Sequence, residues 1–137
     1  MASKPETRFQ KKIHKHLNAS IHKEKMANQY RGGTPDVWYS GNYGDLWVEY
    51  KWISKPALKA RIYVHKLLSG LQAKWLRERY SEGRNVAVIL GTPVGAWVYE
   101  GGDWEGHHAP TRNTIERAGL TPVHIAEYIQ TIVYQGE

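Results

Sequence analysis

Two runs of alternating character face each other across a glycine-containing turn, and the rest of the chain can be laid out around them. The first is Val37-Trp38-Tyr39-Ser40 and the second Asp45-Leu46-Trp47-Val48-Glu49-Tyr50-Lys51-Trp52, separated by Gly41-Asn42-Tyr43-Gly44. Period-two alternation rich in Val, Trp and Tyr, broken by Gly and Asn, predicts a β-hairpin. A four-residue loop pairs Ser40 with Asp45, Tyr39 with Leu46 and Val37 with Val48, and sets Asp36 opposite Glu49. Tyr50 extends the apolar face, while Asp36, Glu49 and Lys51 share the other, because strand side chains alternate. A loop one residue longer would flip one strand and mix the two sets.

Other patterns surround this hairpin. Ser3-Lys4-Pro5-Glu6 has the form of a capping box and predicts a helix to about residue 19, with Phe9, Ile13, Leu17 and Ile21 as its apolar stripe. Residues 23–34 mix polar groups with Tyr30-Arg31-Gly32-Gly33, where glycine lets backbone approach closely and Arg31 either meets a phosphate or stays in a solvated loop. Residues 53–68 alternate basic and apolar positions and read as a basic loop leading to a short strand or turn. Ser69-x-x-Gln72 is a second capping box, opening a helix to about residue 81 that Gly83 ends, with Leu71, Trp75, Leu76 and Tyr80 on its apolar side. Val86 to Leu90 is continuously apolar, as in a strand buried on both faces, and Ala96-Trp97-Val98-Tyr99 predicts the next strand. Residues 101–120 read as loop-rich. Thr121-Pro122 starts a last helix with Ile125, Ile129, Ile132 and Val133 on one side, packed on the sheet or on a second subunit. The fold class expected is α/β, a mixed, mostly antiparallel sheet of four or five strands flanked by helices, in one domain over 1–137.

Chemistry enters with the polar face of the hairpin. Two carboxylates about 4 Å apart repel by roughly 4 kcal/mol at an effective dielectric near 20. A divalent cation removes that cost, and a hard oxygen-donor site suits Mg²⁺, with Mn²⁺ as a substitute. A lysine beside them orients water or holds developing negative charge. Asp36, Glu49 and Lys51 together therefore suit metal-assisted attack of water on a phosphodiester.

Composition sharpens this. The chain has 137 residues, 19 Lys plus Arg against 13 Asp plus Glu, and a net charge of +6. A basic balance suits a polyanionic partner. With no cysteine, disulfides and thiolate zinc sites are excluded. No apolar run approaches the ~18 residues that span a membrane, and no secretory signal is evident, so a cytoplasmic protein is expected. Lys11, Lys12, Lys15, His14, His16 and His22 suggest a solvated or phosphate-facing surface; residues two apart on a helix diverge, which argues against a His-x-His metal pair. His107-His108 has no suitably spaced partners.

Pro35-Asp36 followed by Glu49-Tyr50-Lys51 resembles the PD-(D/E)xK nuclease superfamily. With Glu6 on a first helix, Gly32-Gly33-x-Pro-Asp before the motif strand, and Leu68-Ser69-Gly70-Leu71-Gln72 opening the next helix, residues 3–100 look like the virus-type replication–repair nucleases and phage Holliday-junction resolvases. The family's middle residue is usually small or aliphatic; here it is Tyr50. The resemblance implies a restriction-endonuclease-like core and a Mg²⁺-dependent DNA endonuclease. Asp36, Glu49 and the Tyr50 carbonyl would bind metal, and Lys51 would position water. Glu6 and Gln72 would line the site, although each is also explained as the acceptor of its capping box. It further implies branched DNA, such as a four-way junction, as substrate and a homodimer as the active form. A less selective or restriction-like nickase, and a DNA-binding module without chemistry, are the alternatives. Trp97, Trp104 and Tyr134 would serve either a subunit interface or the core.

Overall fold

The computed structural model describes residues 4–26, 32–106 and 109–136. Five strands form one mixed sheet in the order β1-β2-β3-β4-β5: β1 (His22–Lys25), β2 (Val37–Ser40), β3 (Asp45–Trp52), β4 (Val86–Thr92) and β5 (Gly95–Glu100). All neighbours are antiparallel except β3 and β4, which run parallel from Trp47↔Val86 to Trp52↔Gly91. The hairpin register is the one its side chains require, Val37↔Val48 to Ser40↔Asp45, closed by Gly41 N–H donating to the Gly44 carbonyl at 3.0 Å. A parallel step needs a long crossover, and residues 53–85 supply it, carrying α2 (Gly70–Ser81).

Helices cover both faces. On one, α1 (Pro5–His14) and α4 (Pro122–Val133) bury Phe9, Ile13, Ile125, Ile129 and Val133 against Val37, Tyr39, Leu46, Val48, Tyr50 and Ile89. On the other, α2, the crossover and α3 (Arg112–Ala118) bury Ile62, Val64, Leu76 and Ile115 against Val86, Val88, Leu90 and Tyr99. β4 is buried at every position, as expected of a central strand sandwiched between helix layers.

The structure corrects several sequence expectations. α1 stops at His14, not near residue 19. The Asn18 carboxamide accepts from Ser20 N–H at 2.9 Å, and this local turn competes with further helix. Leu17 still packs on the core, and Ile21 is buried from the segment before β1. The N-cap of α1 is Lys4, without a side-chain cap, so Glu6 is not held by a box at that residue; Ser3 lies outside the described residues, as do Tyr30, Arg31, His107 and His108. β1 was missed because its four positions, His-Lys-Glu-Lys, are all exposed: an edge strand guarded by charge carries no apolar alternation. The loop-rich residues 101–120 also hold a 3-10 turn at Asp103–Glu105 and α3, capped by Thr111 Oγ1 accepting from Thr114 N–H at 3.2 Å. On α2 only Leu76 is buried; Leu71 and Tyr80 point outward, Tyr80 lying over Gly101. The basic stretch 53–68 before α2 holds a 3-10 turn, Val64–Leu67, rather than a strand. α4 packs on the sheet. Trp104 is core, so it offers nothing to a subunit interface.

Candidate active site

Three elements deliver the site. β3 presents Glu49 and Lys51 on its α2-facing side. Asp36 stands at the entry to β2, where the β2–β3 ladder has ended. Its carboxylate accepts from Tyr50 N–H at 2.8 Å. The carbonyl of a strand residue leaves on the same edge as its N–H, so the Tyr50 carbonyl faces the Asp36 side as well.

α2 supplies Gln72, and here two readings that competed in the sequence both hold. Its Oε1 accepts from Ser69 N–H at 2.9 Å while Ser69 Oγ accepts from Gln72 N–H at 3.1 Å, a complete capping box. Its Nε2 simultaneously donates to Glu49 Oε2 at 3.1 Å, and Lys51 Nζ donates to Gln72 Oε1 at 3.3 Å. The helix start is thereby tied to the strand. Gly33 makes this proximity possible: its φ is +94°, and a Cβ there would stand 2.4 Å from the Leu71 carbonyl oxygen. Only glycine suits both the left-handed backbone and the gap.

Glu49 is 2 % exposed. Lys51 Nζ lies 3.3 Å from its Oε2, yet Oε1 is buried without a hydrogen-bond partner among the described residues. An unsatisfied buried carboxylate oxygen is expensive. Burial, then the neighbouring Asp36, push the Glu49 carboxyl well above the usual carboxylate range, with Lys51 opposing. Glu6 is raised by the same two causes in the same order and shares a hydrogen bond with Asp36. Its carboxyl thus turns to the acidic group rather than to a cap. Without a cation, Glu6 and Glu49 resist taking up charge beside Asp36.

All five site residues expected from the sequence, Glu6, Asp36, Glu49, Lys51 and Gln72, therefore belong to one electrostatic cluster. Among the described residues, no three His, Asp or Glu side chains converge as a ready-made metal cage. The donors that fit an ion are two carboxylates, Asp36 and Glu49, with the Tyr50 carbonyl, and Glu49 Oε1 is the atom lacking a partner. Such a set matches Mg²⁺, which keeps several waters and takes one or two carboxylates.

Sequence reading missed what lies beneath. Tyr50 Oη and Tyr39 Oη are 2.6 Å apart, and Tyr39 Oη is 2.7 Å from His14 Nε2. His14, expected on the solvated face, is half-buried, and burial followed by Lys23 and Lys25 lowers its pKa to about 4. This chain of hydrogen bonds pins the strand carrying the Asp36 contact. The signal was present: two tyrosines on one inward face bring hydroxyls that must find partners. Basic side chains on α2 are partly spoken for, Arg77 by Glu105 at 3.0 Å and Arg79 by Glu82 at 3.2 Å.

No family model matches the chain, and no curated protein matches it. Among solved structures, Hjc of Archaeoglobus fulgidus, a Holliday junction resolvase from an archaeal hyperthermophile, is similar with a TM-score of 0.53 and 14% identity. The likeness covers 90% of this chain and 97% of that one. The fold is therefore α/β and restriction-endonuclease-like, a mixed five-stranded sheet flanked by helices, as in that neighbour. No helix among the described residues is long and apolar enough to cross a membrane.

Proposed function

We propose that the protein is a Mg²⁺-dependent DNA endonuclease selective for branched DNA, of the virus-type replication–repair nuclease kind, acting as a homodimer. The observation that carries this reading is Glu49: a buried carboxylate with one unpartnered oxygen, set between Lys51, Gln72 and the Asp36–Glu6 pair. Asp36, Glu49 and the Tyr50 carbonyl would hold the ion, which when bound polarises the phosphate and lowers the pKa of water. The similarity to a junction resolvase in fold, and the +6 charge, support DNA as partner.

The chain's own groups divide the remaining work. Lys51 has three ammonium hydrogens; Glu49 and Gln72 take two, leaving one for the attacking water or a phosphoryl oxygen. Because both acceptors are held by α2 and β3, the ammonium is positioned before substrate arrives, so its reorganisation cost is already met. Glu49 is kept from rotating by Gln72, and Asp36 by Tyr50 N–H.

One gel assay tests the reading: purified protein with Mg²⁺ on linear duplex, single strand, flap and four-way junction. Preferential cutting of the junction supports the proposal. Equal cutting of all duplexes indicates an unselective nickase, and binding without cutting a module that lacks chemistry. Two paired incisions need two sites, which a two-fold dimer presents; light scattering giving a monomer mass both free and on the junction would remove the dimer.

A further inference from the structure

At the end of the sheet where β3 and β4 finish, on the face opposite Glu49 and Lys51, lies a cleft of about 480 Å³. It is lined by Trp52, Arg8, Lys12, Pro93, Val94 and Pro122 among others, and among the described residues no acidic one contributes to it. The Trp52 ring is held on three sides. Phe9 packs at 5.8 Å between ring centroids, Trp52 Nε1 donates to Ser54 Oγ at 2.9 Å, and a Cβ at Gly91 would stand 2.7 Å from the indole. A half-exposed indole fixed in this way presents a preorganised face. Trp52 follows Lys51 in β3, so successive side chains reach opposite faces of the same strand end. Arg8 lies two residues past Glu6 on α1, so that one helix carries both. Cleft and acidic cluster thus share two elements.

We propose that this cleft takes one unstacked nucleobase of the DNA strand being cut, stacked on Trp52 with the neighbouring phosphate near Lys12. The inference rests on the nuclease reading and adds to it a subsite that reads strand opening rather than backbone charge. A base needs an aromatic face and its phosphate a cation, and the cleft supplies both without an opposing carboxylate. Branched DNA offers unpaired or easily unpaired bases next to the exchange point, whereas intact duplex must first be unstacked, which costs free energy. The subsite therefore favours branched over plain duplex without any base-specific contact.

The test uses a four-way junction in which a tetrahydrofuran abasic nucleotide replaces each base in turn, over two positions either side of the mapped cut. Affinity is measured by anisotropy in chelator, where nothing is cleaved. Wild type should lose affinity roughly 5- to 150-fold at one position, the range for a single base–aromatic stack. Trp52→Leu should lose a similar factor on intact DNA and then be indifferent to the abasic site, while Trp52→Phe should restore the dependence. Lys12→Glu, at an exposed position that leaves the core untouched, should weaken binding and keep the positional pattern. A flat abasic series with wild type that still binds and cuts overturns the subsite alone. Independent, multiplying losses for Trp52→Leu and the abasic site overturn it too. If Trp52→Leu instead changes the protein's mass in solution, the cleft holds a second copy of the chain and the proposal fails. Wild type that neither binds nor cuts the junction removes the nuclease reading and this one with it.

Discussion

Replacing Gln72 should be costlier than replacing the residue it caps, because Gln72 holds two structures at once. Ser69→Ala removes the bond from Gln72 N–H to Ser69 Oγ, 3.1 Å, and should cost about 1 kcal/mol, the usual worth of an N-cap. Gln72→Ala removes the reciprocal box bond from Ser69 N–H, 2.9 Å, and the bond to Glu49, 3.1 Å. The first is worth about 1 kcal/mol and the second, to a buried carboxyl group, about 1–3 kcal/mol. The total is about 2–4 kcal/mol, so Gln72→Ala should exceed Ser69→Ala by about 1–3 kcal/mol. With a urea slope near ~2 kcal/mol/M, that is a further drop of roughly 0.5–1.5 M in the unfolding midpoint. In a Glu49→Gln background the excess should shrink towards the ~1 kcal/mol of a neutral pair, since the two sites are in contact and couple. Ser69→Ala should keep cleavage, while Gln72→Ala should impair it by freeing Glu49 and Lys51. Equal midpoints for Ser69→Ala and Gln72→Ala would refute the reasoning, for the bond to Glu49 would then contribute nothing.

Three other outcomes follow from the same geometry. Mg²⁺ at 10 mM should add about 1.4 kcal/mol of stability for an assumed dissociation constant near ~1 mM; Glu49→Gln should erase most of this in a melting experiment and raise the metal-free melting temperature slightly. His14 is held neutral, with its pKa lowered to about 4, so between pH ~6.5 and 4 only the unfolded chain gains the proton and stability falls as the solution is acidified. Allowing for partial exposure, the loss should be about 1–2 kcal/mol greater than in His14→Gln, read from urea midpoints at pH 7 and 4.5. Asp36→Asn should abolish cleavage yet preserve binding in chelator, because affinity comes from cations on phosphates, whereas Lys51→Ala should reduce both; cleavage by Asp36→Asn near the wild-type rate would show that this hairpin is not the active site.

Much of the fold was legible because its strongest signals are local. The hairpin register follows from which residues must share a face, and the buried strand β4 from an unbroken apolar run. What escaped was organised by contacts distant in sequence or by charge. β1 has no apolar side at all, and α3 is a short helix whose one clear mark is Thr111 capping Thr114. On α2, apolar residues at helical spacing suggested a buried stripe, but Leu71 is 59 % exposed; the helix meets the sheet through its start and through Leu76. The cluster of acids was legible from spacing, yet not its tension: that Glu49 is buried with an idle oxygen depends on β4 and α2, neither of which a hairpin contains. Nor could sequence alone say that Gln72 both caps and reaches Glu49, because a side chain with two polar ends has two answers.

The parallel seam between β3 and β4 has a consequence for how portable the motif is. Every pairing in the sheet joins consecutive strands, but this one alone joins residues about forty apart, Trp47 to Val86. Asp36, Glu49 and Lys51 sit within one short hairpin, but the wall that closes over Glu49 arrives only when Val86 to Leu90 has docked beside it. A fragment ending before that strand carries every letter of the motif and leaves its central carboxylate facing water, an ordinary acid on an ordinary ribbon. Grafting the hairpin onto another scaffold would transplant the spelling without the environment. The burial of Glu49 belongs to the completed sheet, so a chain still lacking β4 would lack the environment on which the proposed activity rests.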